Sequence, residues 1–222
     1  IASDKFICLD CETTGLDPKK DRIIEIAVVL FQGTEILERF ESLADPKEPI
    51  SEESIAIHHI TQEMVAGKPT IDELLPEVLR YVKKYPIVGH GIGFDVAIID
   101  EEAKRARVPC NILENPLIDT LRLARLYGES PVNSLEHLRK HFNIPLEGAH
   151  RAMSDVIVNV QVFQHLAKSF ASKRELMQRL EKPIKMKTMP LGKYKGRPIR
   201  DLPINYLCWA AKMDFDQDLL YS

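Results

Sequence analysis

The chain has no apolar run approaching the roughly 18 residues a membrane-spanning helix needs, and no charged-then-apolar leader opens it. The expectation is a soluble, cytoplasmic protein without membrane contact. Cysteine is scarce, at four. Cys8 and Cys11 are spaced C-x-x-C, but three apart on a strand they face opposite sides and cannot share a metal. Reduced core thiols are the better reading, and they too point to the cytosol. A nucleotide-binding glycine fingerprint is incomplete as well, because Gly91-Ile92-Gly93 would need a third glycine where Val96 stands. Nor is there a large excess of one charge: 30 Lys and Arg stand against 33 Asp and Glu, a net −3 that does not by itself suggest a nucleic-acid binder. The distribution says more. Residues 182–222 hold eight basic residues against four Asp, a local +4 that leaves −7 for residues 1–181.

What is present is enough for one full-sized core, with 45% hydrophobic residues in 222, and for a small appendage. The expected division is a main domain over 1–181 and a basic C-terminal segment over 182–222. Phe6-Ile7-Cys8-Leu9-Asp10 reads as a buried strand that delivers two carboxylates, Asp10 and Glu12, into a Thr-Thr-Gly turn. Residues two apart on a strand share a face, so these anions lie side by side. A divalent cation or a retained proton would relieve their repulsion.

Ile23 to Phe31 reads as a strand buried on both faces, and Gln32-Gly33 reverses the chain into a third strand at Ile36–Leu43. A helix is predicted from Ile71 to Lys84 with Thr70 as its N-cap. Pro86 to His90 is a short strand, and Asp95 falls at the start of the helix after it, where it either stabilises the first turn or adds a third carboxylate to the same sheet edge. Pro116 to Thr120 is the last strand, with Asp119 or Thr120 capping the next helix, and Ser134 caps a helix through about His141. Gly148 to Asp155 opens a long amphipathic helix with an apolar face of Val156, Val160, Phe163, Ala167 and Phe170. Five residues is about 140° around a regular helix, so His150 belongs to the preceding loop and Asp155 to the helix.

Asp10-x-Glu12, Phe94-Asp95 and His150-x4-Asp155, in that order, resemble the DEDDh (DnaQ-like) 3′→5′ exonucleases. Glu12-Thr13-Thr14-Gly15-Leu16, Ile57-His58-x-Ile60-Thr61, Ile118-Asp119-Thr120-Leu121 and His150-Arg151-Ala152 agree with it. The tail, Leu191-Gly192-Lys193-Tyr194-Lys195-Gly196-Arg197 with Tyr206 and Trp209 after it, resembles the C-terminal segment of exodeoxyribonuclease X, a member of that family; the proofreading epsilon subunit has a different tail. The resemblance implies an α/β fold of the ribonuclease-H-like kind, a mixed five-stranded sheet flanked by helices, with the small appendage added. It implies hydrolysis of DNA from its 3′ end with two Mg²⁺ or Mn²⁺ ions. Asp10, Glu12 and Asp155 would hold the first ion, Asp10 would bridge to the second, Asp95 would act through water, and His150 would be the general base. Thr13 and Leu16 would meet the terminal nucleotide, with Glu53 and His58 as further candidates, although Leu16 reads equally as a core residue. Relatives often carry Asn where Gly91 stands. Lys193, Tyr194, Lys195 and Arg197 suit phosphate contact and base stacking, or form a solvated loop. RNA is the alternative substrate, a catalytically silent polymerase accessory the alternative class, and DNA polymerase or repair machinery the partners implied.

Overall fold

The computed structural model describes residues 1–82, 85–129, 132–145, 151–213 and 215–222. Its centre is a five-stranded sheet in the order β3-β2-β1-β4-β5, formed by β1 (Lys5–Thr13), β2 (Ile23–Gln32), β3 (Glu35–Leu43), β4 (Ile87–Gly89) and β5 (Leu117–Asp119). The first three strands make an antiparallel meander, and β4 and β5 add in parallel to β1. The mixed sheet expected from the sequence is therefore present. β1 runs three residues beyond Asp10, because its pairing with β2 continues through Glu12 opposite Glu25.

Alternation along β1 sorts its side chains between two cores. Phe6 and Cys8 join Ala27, Val29 and Phe31 on one face; Ile7, Leu9 and Cys11 join Ile26, Val28 and Leu30 on the other. Cys8 and Cys11 are thus free thiols on opposite faces. The first face is covered by α7 (Ala152–Ala167), whose Val156, Val160 and Phe163 enter the core, with α5 (Thr120–Tyr127), α6 (Leu135–His141) and α8 (Lys173–Leu180) around it. The second is covered by α3 (Ile71–Val82) and α4 (Gly93–Ala106). Helices on both faces explain why β2 is apolar at nearly every position instead of alternating. Asp10 and Glu12, in step with Phe6 and Cys8, face α7.

Two short helices, α1 (Glu52–His58) and α2 (Gln62–Val65), cross the end of the meander. Thr70 precedes α3, where Glu73 reaches back to its backbone N–H and hydroxyl; the expected helix end at Lys84 lies outside the described residues. Ser134 stands at the N-cap of α6, but its hydroxyl pairs with the His137 ring and not with the helix backbone. Phe170 lies beyond the end of α7, not on its face, and packs against the core from the loop.

After α8, the chain forms a small cluster of Met189, Leu202 and Leu219, packed with Tyr194, Tyr206 and Phe215 and including α9 (Ile204–Ala210) and α10 (Gln217–Tyr221). It docks on α5 through charge. The Asp218 carboxylate is fully buried and accepts from Arg122 at 3.0 Å and Arg125 at 2.8 Å, and Arg125 also pairs with Asp216. The Ile184 backbone N–H donates to the same Asp218 carboxylate.

Candidate active site

The loop-side ends of β1 and β4 and the first turns of α4 and α7 meet at one edge of the sheet. Carboxylate oxygens of Asp10 and Glu12 from β1 and Asp155 from α7 lie within 4.8 Å of one another. Asp95, in the first turn of α4, is buried and accepts from the Cys11 backbone N–H at 2.9 Å, which fixes its carboxyl against the same strand. Residues 85 positions apart in the chain, Asp10 and Asp95, are brought together because β4 pairs with β1 in parallel and α4 follows β4 directly.

The electrostatics follow from this crowding. Burial and then repulsion from Asp95, Glu12 and Asp155 push the Asp10 carboxyl well above the ordinary carboxylate range. Burial, with Asp155, Glu25 and Asp95 adding, raises Glu12 to about 8. Burial raises Asp95 to about 7 against the opposing hydrogen bond from Cys11. Among the described residues, no lysine or arginine forms an ion pair with Asp10, Glu12 or Asp95. Such a set of oxygens without a cationic partner is suited to a hard divalent cation.

β2 fixes both helices that carry these acids. Its Glu25, fully buried and opposite Glu12, forms a two-pronged ion pair with Arg151 and accepts the Ala152 backbone N–H at 2.9 Å, so it clamps the N-terminus of α7 one turn before Asp155. Beside β2, Arg22 pairs with the buried Glu102 of α4 at 2.8 Å, and the Ile23 N–H donates to the same carboxylate. One turn beyond Asp155, Asn159 accepts from the Thr120 hydroxyl at 2.7 Å and donates to the Cys8 thiol, while the Gly89 carbonyl, at 3.1 Å, shares that same hydroxyl proton. These contacts tie α7 to β1, β4 and α5 under the acidic cluster. Glu25 and Asn159 escape a motif reading, yet a lone glutamate inside an otherwise apolar strand is a signal in itself, because a buried carboxylate needs a partner.

The remaining candidates are spread around this edge. Thr13 is buried and its hydroxyl donates to the Gly15 carbonyl at 2.7 Å. Leu16 is 88% exposed, which removes the core reading. Glu53 is exposed on α1, and Ser54 of that helix donates to the Thr14 carbonyl, binding α1 to the turn that carries Leu16. His58 is 2% exposed; its Nδ1 accepts from the Ile60 N–H, and its Nε2 is buried without a partner among the described residues. Asp119 caps α5 through the Leu121 N–H and also accepts the Gly91 N–H at 2.9 Å. Gly91 has φ +74°, a conformation that favours glycine, which accounts for that residue at this place. His150 lies outside the described residues, directly before Arg151. Lys193, Tyr194, Lys195 and Arg197 lie in the tail, away from the carboxylates in sequence; Tyr194 packs into the separate hydrophobic cluster there, and the three cations are exposed.

A sequence model described as exonuclease matches residues 7–163. The chain belongs to the DEDDh, DnaQ-like exonuclease family. Residues 177–220 match a second model, for a proposed quorum-sensing-regulated virulence factor. The chain is 34% identical over 210 residues to the PolC-type DNA polymerase III of Clostridium perfringens, a match that covers 94% of the chain but only 14% of that polymerase. It thus spans a small fraction of the PolC relatives. With the DNA polymerase III epsilon subunit of Aquifex aeolicus it shares 34% identity over 159 residues, 71% of the chain and 78% of that subunit. Among solved structures it is similar to exonuclease X in complex with 5′-overhanging duplex DNA, with a TM-score of 0.64 and 26% identity over 80% of this chain and 99% of that one. Exonuclease I of E. coli with a dA16 oligonucleotide has the same fold, with a TM-score of 0.68 at 20% identity over 81% of this chain and 43% of that one. Among the described residues, no helix is long and apolar enough to cross a membrane.

Proposed function

We propose that this exonuclease removes nucleoside 5′-monophosphates from the 3′ end of DNA. The observation that carries the reading is the convergence of Asp10, Glu12 and Asp155 within 4.8 Å, without a cationic partner recorded for Asp10 or Glu12. The all-oxygen donor set suits Mg²⁺ or Mn²⁺ over zinc. Asp10, Glu12 and Asp155 would hold one ion, with Asp10 and Asp95 serving a second. When bound, the ions supply Lewis-acid stabilisation of the charge that develops on the phosphodiester.

The chain's own residues do the rest. His150 is the general base that takes a proton from the attacking water, because a neutral imidazole offers a free ring nitrogen to accept it. The Thr13–Leu16 turn receives the terminal nucleotide, with the exposed Leu16 against a base and the Thr13 backbone near the 3′ hydroxyl. Glu53 and His58 line the α1 side of the same turn. The similarity to polymerase III subunits and to exonuclease X supports a place in proofreading or repair, with a DNA polymerase or repair machinery as partner.

Calorimetric titration with Mn²⁺, paired with chromatography of the products, tests this. Wild-type protein should bind the ion and release 5′-monophosphates, and Asp155→Ala should bind Mn²⁺ more weakly. An unchanged affinity in that variant would remove Asp155 from the ligand set.

A further inference from the structure

The fold sorts the charges of the tail. Two of its four aspartates, Asp216 and Asp218, turn inward to Arg122 and Arg125 of α5. Lys185, Lys187, Lys193, Lys195, Arg197 and Lys212 have no recorded ion pair among the described residues. The outer surface is therefore more basic than the sequence count of +4 implies.

An aromatic series runs through the tail. Tyr194 and Tyr206 have ring centroids 4.7 Å apart, Tyr206 and Trp209 5.2 Å. The Lys193 ammonium and Arg197 guanidinium lie 5.4 and 5.7 Å from the Tyr194 ring. Trp209, the chain's one tryptophan, is 47% exposed. Part of this series builds the small core of the tail, but that role calls neither for an exposed indole at Trp209 nor for two cations set against the Tyr194 ring. Basic side chains that track phosphates, with aromatic faces on which bases stack, bind single strands with little sequence preference.

The placement is also apt. Arg122 lies in the first turn of α5, whose Thr120 donates to the Gly89 carbonyl at the end of β4, beside the acidic cluster. A rise of about 1.5 Å per residue keeps the docking point of the tail close to that sheet edge.

We propose that residues 182–222 form a second binding surface for single-stranded DNA, in which Lys193, Lys195 and Arg197 contact phosphates and Trp209 stacks on a base. The inference rests on the exonuclease reading only for the nature of the strand, and the two fail separately.

The test uses the full chain in EDTA, where hydrolysis is stopped, and the fluorescence anisotropy of a labelled dT20 oligonucleotide. Lys193→Ala/Lys195→Ala/Arg197→Ala should weaken binding more than tenfold and lower the slope of log affinity against log salt by about 2, since each phosphate contact on a single strand contributes about 0.7. Trp209→Ala should weaken binding about tenfold, and Trp209→Phe should recover most of it. Wild-type affinity and salt slope in the triple variant, whose three replaced residues are exposed, would overturn the proposal even if Trp209→Ala unfolds the tail. So would binding of polyglutamate as tight as that of dT20, which would mark the surface as one for acidic protein. Failure of the exonuclease reading would instead show as wild-type protein that leaves 3′ ends intact with either metal.

Discussion

Glu25 is the third residue of a strand buried on both faces, where an unpaired carboxylate would be expensive, and its partners are the guanidinium and helix N-terminus that precede Asp155. Removing its charge while keeping its shape should therefore act on the site as well as on stability. Glu25→Gln is expected to lower stability by about 2 kcal/mol, less than a fully buried pair because Arg151 is partly exposed, and to reduce Mn²⁺ affinity several-fold in calorimetry. Lost stability with unchanged Mn²⁺ affinity would confine Glu25 to a structural role. His150→Ala should keep Mn²⁺ and DNA binding while turnover falls by about 10²–10⁴, and a matching loss of binding would remove it as the base. The acidic cluster also sets a pH dependence for metal-free protein. Glu12 near 8, Asp95 near 7 and a raised Asp10 all exceed their ordinary values of 4.5 and 3.8, so the folded state holds protons that the unfolded chain releases. Stability from these groups is full below about pH 4 and is lost as pH rises through 7 to 8. Thermal melts in EDTA should decline over that range, and saturating Mg²⁺ should flatten the decline. A metal-free melting temperature that rises between pH 6 and 8 would contradict the crowding of these carboxylates.

At the scale of elements, the parts legible in the sequence were those with local causes. The two-residue period of β1 placed Asp10 and Glu12 on one face, and the apolar run of β2 announced cover on both sides of the sheet. What stayed hidden depends on distant pairing: Glu25 meets Arg151 across 126 positions and Arg122 meets Asp218 across 96, separations no local pattern encodes. Leu16 was ambiguous because an apolar residue beside a turn can point either way, and only the fold shows it in solvent. The tail likewise looked simply basic until its aspartates were seen turned inward. That docking carries its own prediction. Burial opposes it, but hydrogen bonds from Arg122, the Ile184 N–H and Arg125 hold the Asp218 carboxyl below its ordinary value of 3.8. Its contribution is present above that value and is lost as pH falls below it. Asp218→Ala, which leaves two arginines facing an empty place, should destabilise the tail by about 3 kcal/mol and expose it to limited proteolysis at neutral pH, while 3′-end shortening persists. A tail as resistant as in wild-type protein would show that the apolar cluster alone holds it.

The whole molecule joins an acidic body, which gathers carboxylates at one sheet edge, to a basic appendage docked one helix away. Fold and family place it among the exonucleases, and the sugar it prefers is set by contacts near the 2′ position rather than by the carboxylates. The central claim is tested most directly by a gel time course with matched 5′-labelled DNA and RNA oligonucleotides in Mg²⁺, in Mn²⁺ and in EDTA. The account predicts a ladder that shortens from the 3′ end of DNA, depends on the metal, and advances much more slowly on RNA. Faster shortening of RNA would overturn the substrate while keeping the chemistry, and intact DNA in both metals would contradict the account itself.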